Sequence, residues 1–156
     1  EYYEMRGAIG CNVPQVRADA AKRLYSTITV AVEKGLLASA HGCYKGGLAV
    51  SLAMTAMAGG HGVEVDLGKA PVVGEGLRTR LSNDRILYSE SASRFVITVS
   101  PRNQGLFEKV LRGNIFSHIG FVREDEKLVV KGIEGGTIIR QDIRELKKAW
   151  QKPFGV

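Results

Sequence analysis

The stretch from Leu36 to Gly60, LLASAHGCYKGGLAVSLAMTAMAGG, limits the possible folds more than any other part of the chain. It opens with a short apolar run that suits a buried strand. It then passes through His41-Gly42-Cys43-Tyr44-Lys45-Gly46-Gly47 and continues as an apolar helix that stops at Gly59-Gly60. Glycines at such a junction let the backbone approach a ligand, and the first turn of the following helix presents unpaired N–H groups that favour an anion. Gly46 and Gly47 equally suit a tight turn with close packing of helix on sheet. The spacing is neither G-x-G-x-x-G nor G-x-x-x-x-G-K-[ST], which argues against a dinucleotide fold and a P-loop.

The flanking sequence builds a mixed α/β fold, a mixed β-sheet packed by helices. Residues 1–13 read as an irregular lead-in of the kind that links a preceding domain, and residues 14–156 as a single domain. A first helix is predicted over about Val16 to Lys34. Ala21, Leu24, Tyr25, Ile28, Ala31 and Val32 form its apolar face, Asp19 lies in its first turn, and Gly35 ends it. Gly62 to Leu67 alternates apolar and polar residues as a half-buried strand does, and with the preceding stretch it makes a β-α-β unit that favours a parallel or mixed sheet. Gly68 to Asp84, with Pro71 and three glycines before Leu77 and Leu81, reads as a loop leading into a short helix.

Ile86-Leu87-Tyr88 and Phe95 to Val99 read as two short strands joined by Ser89-Glu90-Ser91-Ala92-Ser93-Arg94. A connection this polar either presents ligands or forms a hairpin turn in which Glu90 and Arg94 pair. Pro101 starts a helix with Leu106, Phe107, Val110 and Leu111 on one face and Gly113-Asn114 as its stop. Ser117 to Val122, Lys127 to Ile133 and Thr137 to Arg140 are predicted to form an antiparallel meander. The last helix, about Ile143 to Gln151, should turn Leu146, Ala149 and Trp150 inward before breaking at Pro153.

Composition narrows the class. A chain of 156 residues, 44% hydrophobic and 24% charged, suits one globular domain with a core of its own. Cys11 and Cys43, its only cysteines, form no C-x-x-C or Cys/His cluster, so free thiols in a reducing, cytoplasmic setting are expected, without a metal site. The apolar helix after Gly47 is about half as long as a membrane span requires, and no charged leader precedes an apolar core. A start at Glu1 without methionine, in residues that resemble mid-protein sequence, suggests a piece of something longer. The net charge of +6 comes wholly from residues 78–156, where acids interleave with the bases and no aromatics are spaced to stack on bases. Solvated faces are the expectation, and nucleic acid is not.

The order of residues carries a further signal. EYY near the start, V-P-x-V, KRLY, GLLASAH, GGLAVSLA, A-G-G-x-G-x-E-V-D-L, LYSESASRFVITV, I-G-x-V and the closing ELKKAW resemble, together, the C-terminal domain of the phosphoribosylformylglycinamidine synthase family, within the aminoimidazole ribonucleotide synthetase superfamily. The resemblance covers almost the whole chain. It implies an ATP-dependent ligase of de novo purine biosynthesis that uses glutamine-derived ammonia to convert formylglycinamide ribonucleotide into its amidine. ATP and magnesium are the cofactors it implies for the full enzyme, with none assigned to this chain. Implied partners are the remaining domains of the synthase and its glutaminase, with self-association through an apolar face as a further expectation. The family's catalytic groups lie in other domains, so no catalytic residue is assigned here and the isolated chain is expected to be inactive. A stand-alone binding or scaffold protein derived from that domain is the other reading.

The resemblance also assigns residues. The family pattern H-D-x-S-x-G-G-L is matched at His41, Gly46, Gly47 and Leu48, which makes His41, Gly46 and Gly47 the candidate nucleotide or phosphate loop. Gly42 stands at the Asp position, Tyr44 at the Ser position, and Met54 where L-A-E-M has its acid. Glycine offers magnesium no side-chain oxygen, so a degenerate, supporting copy of the site is expected. Ser89, Glu90, Ser91 and Arg94 form the candidate supporting cluster, with phosphate contact from Arg94 as the alternative role.

Overall fold

The computed structural model of the chain describes residues 2–8, 13–73 and 81–155. The expected free thiol at Cys11 and the loop residue Leu77 lie outside them. Helix α1 (Tyr2–Met5) gives the lead-in, expected to be irregular, one helical turn, and its Tyr2 ring stacks on Tyr88 at 4.1 Å. Helix α2 (Ala18–Glu33) falls where the apolar spacing places it. Gly35, at φ +63°, ends it by letting the Leu36 N–H reach the Ala31 carbonyl.

Strand β1 (Ser39–Gly42) begins later than the apolar run suggested: Leu36 is buried without pairing as a strand. Helix α3 (Gly47–Gly59) follows, bounded by left-handed Gly46 and Gly60. Apolar on all sides, it buries Leu48, Leu52 and Ala56 in the core and packs against other helices and both sheets.

Strand β2 (Gly62–Asp66) does not share a sheet with β1, so the expected β-α-β unit is not formed. β1 instead pairs antiparallel with β3 (Phe95–Thr98), with Gly42 opposite Phe95. The second sheet contains β4 (Gly120–Arg123), β5 (Lys127–Lys131) and β6 (Thr137–Asp142), in the order β4-β2-β5-β6. The expected meander survives only at β5 and β6, because β2 lies between β4 and β5, antiparallel to the first and parallel to the second.

Two features admit it there. Side chains at Gly62 and Gly120 would lie 1.9 Å from the carbonyls of Asp125 and Glu64, so bare glycines permit the close approach. Glu64 then binds Arg123 on one neighbouring strand and Lys131, at 2.7 Å, on the other.

Ile86-Leu87-Tyr88 belongs to a helix, α4 (Asn83–Tyr88), and not to a strand. Ser82 caps it by accepting from the Arg85 N–H, with Asp84 in the first turn, and these start signals outweigh the strand-like triplet. A tight turn at Pro101–Asn103 leads into α5 (Gln104–Val110), where Leu111 is buried but Leu106 is exposed.

Asp142 accepts from the Arg144 N–H and caps α6 (Ile143–Gln151). Ile143 is buried and Leu146 packs on the core. Ala149 and Trp150, expected inward, are exposed because the apolar stripe of α6 is only one turn long. The core is otherwise continuous across Leu52, Val65, Leu67, Leu87, Leu128 and Val130. Among the described residues no helix is long and apolar enough to cross a membrane.

Candidate functional site

β1, the loop after it and the start of α3 meet the Ser89–Arg94 segment at one place. Gly46 and Gly47 have φ of +78° and +62°. A Cβ on Gly47 would lie 2.6 Å from the Ser89 carbonyl and 2.7 Å from that of Leu87, so the loop lies directly on the backbone leaving α4. Glu90 Oε1 accepts the Gly46 N–H at 2.7 Å. A protein carboxylate thus occupies a donor at the entry to α3, beside the place where an anion was a candidate. Ser51 donates to the Gly47 carbonyl at 2.8 Å and braces the turn from inside the helix.

His41 is partly buried on β1, its ring 6.3 Å from that of Tyr44. Tyr44 is exposed, and its ring folds back over Gly42: a Cβ there would lie 2.6 Å from both Cζ and Oη of the tyrosine. Gly42 and Tyr44, two of the three departures from the resembled pattern, are therefore one change in space, with the Tyr44 ring occupying the volume of a side chain at position 42. The loop does not fit magnesium. Gly42 brings no oxygen, the tyrosine stands in its place, and no three metal-ligating side chains gather among the described residues.

Glu90 and Arg94 take separate partners. The Arg94 Nε donates to the Ser91 carbonyl at 3.4 Å and Nη2 donates to the Ser89 carbonyl, while the Arg94 carbonyl accepts from the Cys43 N–H at 2.8 Å. Ser89 and Ser91 hydroxyls share a hydrogen bond of 2.9 Å. Burial pulls the Arg94 guanidinium below its ordinary pKa, and the neighbouring Cys43 thiol acts in the opposite direction. Arg94 thus closes the turn on two backbone carbonyls, the Ser89 and Ser91 hydroxyls pair within it, and Glu90 reaches out of it to Gly46. His41, Gly46 and Gly47 lie across from it.

Of these residues only Glu90 and Arg94 border a cleft of about 380 Å³, which Gly42 and Cys43 line from the loop and to which Tyr25, Tyr44 and Phe95 add rings. Tyr25 and Phe95 meet edge to face at 5.8 Å, and the Tyr25 hydroxyl shares a 3.0 Å hydrogen bond with that of Ser93. Tyr25 and Phe95 carried no signal for this place in the sequence. Tyr25 fits the apolar period of α2 and Phe95 the alternation of β3, and only the fold brings them together.

Residues 3–133 match the family described as AIR synthase related protein, C-terminal domain. Among curated proteins, the chain is 34% identical over 142 residues to the phosphoribosylformylglycinamidine synthase subunit PurL of Methanococcus aeolicus, covering 91% of this chain and 18% of that protein. It is 30% identical over 155 residues to the PurL subunit of Thermosynechococcus vestitus, covering 97% and 19%. The chain spans about a fifth of the length of these relatives.

Among solved structures, phosphoribosylformylglycinamidine synthase II of Thermotoga maritima matches with a TM-score of 0.74 at 21% identity, over 86% of this chain and 22% of that one. The hydrogenase maturation protein HypE of E. coli matches with a TM-score of 0.60 at 20% identity, over 76% and 38%. These two likenesses show the same mixed α/β fold. With the family match running from α1 through β5 and including the loop between β1 and α3, the chain belongs to the AIR synthase related protein C-terminal domain family.

Proposed function

We propose that the chain is the C-terminal domain of a phosphoribosylformylglycinamidine synthase, the ATP-dependent ligase that forms the amidine of formylglycinamide ribonucleotide in purine biosynthesis. The observation that carries this reading is identity of 30–34% to PurL subunits along 89–99% of the chain. Residues 14–156 form the domain and residues 1–13 its lead-in.

The domain's part is support: its rigid loop and the turn from Ser89 to Arg94 form one wall beside the catalytic half. Two contacts support this role. The Gly46 N–H is already bound by Glu90, and the Tyr44 ring lies over Gly42, where the resembled pattern has an aspartate. ATP use belongs to the assembled enzyme; Thermotoga maritima PurL is known complexed with ATP and with FGAR, and as the assembly PurLQS. The remaining domains and a glutaminase are accordingly this chain's partners, and alone it turns over nothing.

A chimaera tests the reading. Replacing the matching fifth of the Methanococcus aeolicus subunit with this chain should preserve ATP-dependent amidine formation. A chimaera that folds and assembles yet forms no amidine would overturn the proposal.

A further inference from the structure

Strand β4 is an outer strand of the second sheet, and its free edge is open. The Asp66 N–H donates to the Ile119 carbonyl at 2.8 Å, and Glu64 stands opposite Phe121. Because an antiparallel ladder alternates, Ile119, Phe121 and Arg123 turn their N–H and C=O groups to β2, while those of Gly120 and Val122 point outward. Among the described residues no strand pairs with that edge.

Edge strands are ordinarily blunted by proline, a bulge or an outward charge. β4 has no proline and an unbroken register with β2, and its one charge is spent inward, since Arg123 binds Glu64 and, at 2.6 Å, Asp125. Its two large apolar side chains lie on opposite faces and are exposed, Phe121 by 57% and Val122 by 51%. Ile115 and Phe116, just before the strand, are exposed too. Open backbone donors and acceptors flanked by apolar side chains suit the addition of another strand.

The residues of β4 select which strand. Two copies meeting antiparallel about a two-fold axis at Phe121 exchange hydrogen bonds between Gly120 and the partner's Val122, the residues whose groups point outward. Phe121 then meets the partner's Phe121 at the close, non-hydrogen-bonded position, and each Val122 lies beside a bare glycine. Continuing the register sets Glu124 opposite the partner's His118, an acceptor against a donor, twice by symmetry, and both residues are exposed. An axis at Val122 would instead set Arg123, already bound to two carboxylates, against Phe121, and Glu124 against Gly120, losing both matches.

We propose that the free edge of β4 joins the same edge of a second copy of this chain, in the register centred on Phe121, so that two four-stranded sheets become one across a two-fold dimer. The expected self-association thereby gains a place in the fold. The inference goes beyond the ligase reading and does not rest on it: the chimaera reports amidine formation, and the dimer is read by mass.

Sedimentation of this chain over a concentration series should show a monomer–dimer equilibrium. Phe121→Lys sets two ammonium groups together at the axis, and Val122→Pro deletes the outward N–H while leaving the bonds to β2 intact, so each should weaken the dimer at least tenfold. Circular dichroism shows which variants are folded, and either one that folds decides. Cysteine cross-linking reads the register. Phe121→Cys should oxidise to a linked dimer at least tenfold faster than Val122→Cys, which faces Gly120, with the parent chain giving the background from Cys11 and Cys43. A chain that stays monomeric up to about 1 mM overturns the proposal. So does a dimer unchanged by a folded Phe121→Lys or Val122→Pro chain, or a Val122→Cys chain that links as fast as Phe121→Cys.

Discussion

Gly47 and Gly60 share nearly the same left-handed backbone, φ +62° and +66°, yet only Gly47 faces carbonyl oxygens within 3 Å of an added Cβ. Gly60→Ala therefore costs about 1 kcal/mol of backbone strain. Gly47→Ala adds an overlap with backbone that cannot swing away and costs about 3 kcal/mol. Urea unfolding of the two variants separates the contributions. Gly42 and Tyr44 make a second test. Gly42→Asp alone must displace the Tyr44 ring, whereas Gly42→Asp with Tyr44→Ser has room, so the cycle should show coupling above about 1 kcal/mol. The need for glycine at these turns was legible in the sequence, because few other residues allow a tight strand-to-helix junction. The partners were not legible. Glu90 and Arg94, four apart in a polar turn, suggest each other, but Glu90 reaches 44 residues back to Gly46 and Arg94 closes on carbonyls that every residue carries.

Elements were readable where the sequence marks their ends, as in α2, α3 and α6. Asp142 illustrates the caps: it ends β6 and accepts the Arg144 N–H at 2.8 Å, so Asp142→Ala should cost about 1 kcal/mol in thermal unfolding. Ile86-Leu87-Tyr88 shows the opposite case. Three apolar residues fit strand or helix equally, and the decision lay outside them, in Ser82. The lead-in was misread because its anchor is tertiary. The Tyr2 hydroxyl donates to Asp84 at 2.5 Å, and this bond raises the phenol above its ordinary pKa. A raised pKa means that the protonated phenol is favoured in the folded form. The contribution is thus complete below the ordinary tyrosine range and is lost as pH rises through the raised value. The melting temperature should fall as pH rises through that alkaline window, and Tyr2→Phe should remove the part of the fall that this bond contributes.

At the scale of the whole molecule, the sheet order was the part the sequence hid. Alternating patterns identify β2, β4 and β5 as strands but say nothing of which lies beside which. The neighbours are chosen by bare glycines at Gly62 and Gly120 and by the shared carboxylate of Glu64. Hydrogen bonding and charge from Lys131, with Arg123 adding to them, hold the Glu64 carboxyl below its ordinary pKa against the opposing effect of burial. Stability from these pairs is therefore present above the ordinary carboxylate range and is lost as pH falls through the depressed value. Circular dichroism should show an acid unfolding limb that Glu64→Gln flattens. The position of β2 also bears on how the chain is made. Val63 finds its parallel partner only at Leu128, so on the ribosome α3 and β2 are finished long before the strand that completes their sheet exists. Until β4 and β5 emerge Val63 and Val65 have no partner strand, so the second sheet closes late in synthesis, and a chain cut before β5 leaves it without its central parallel pair.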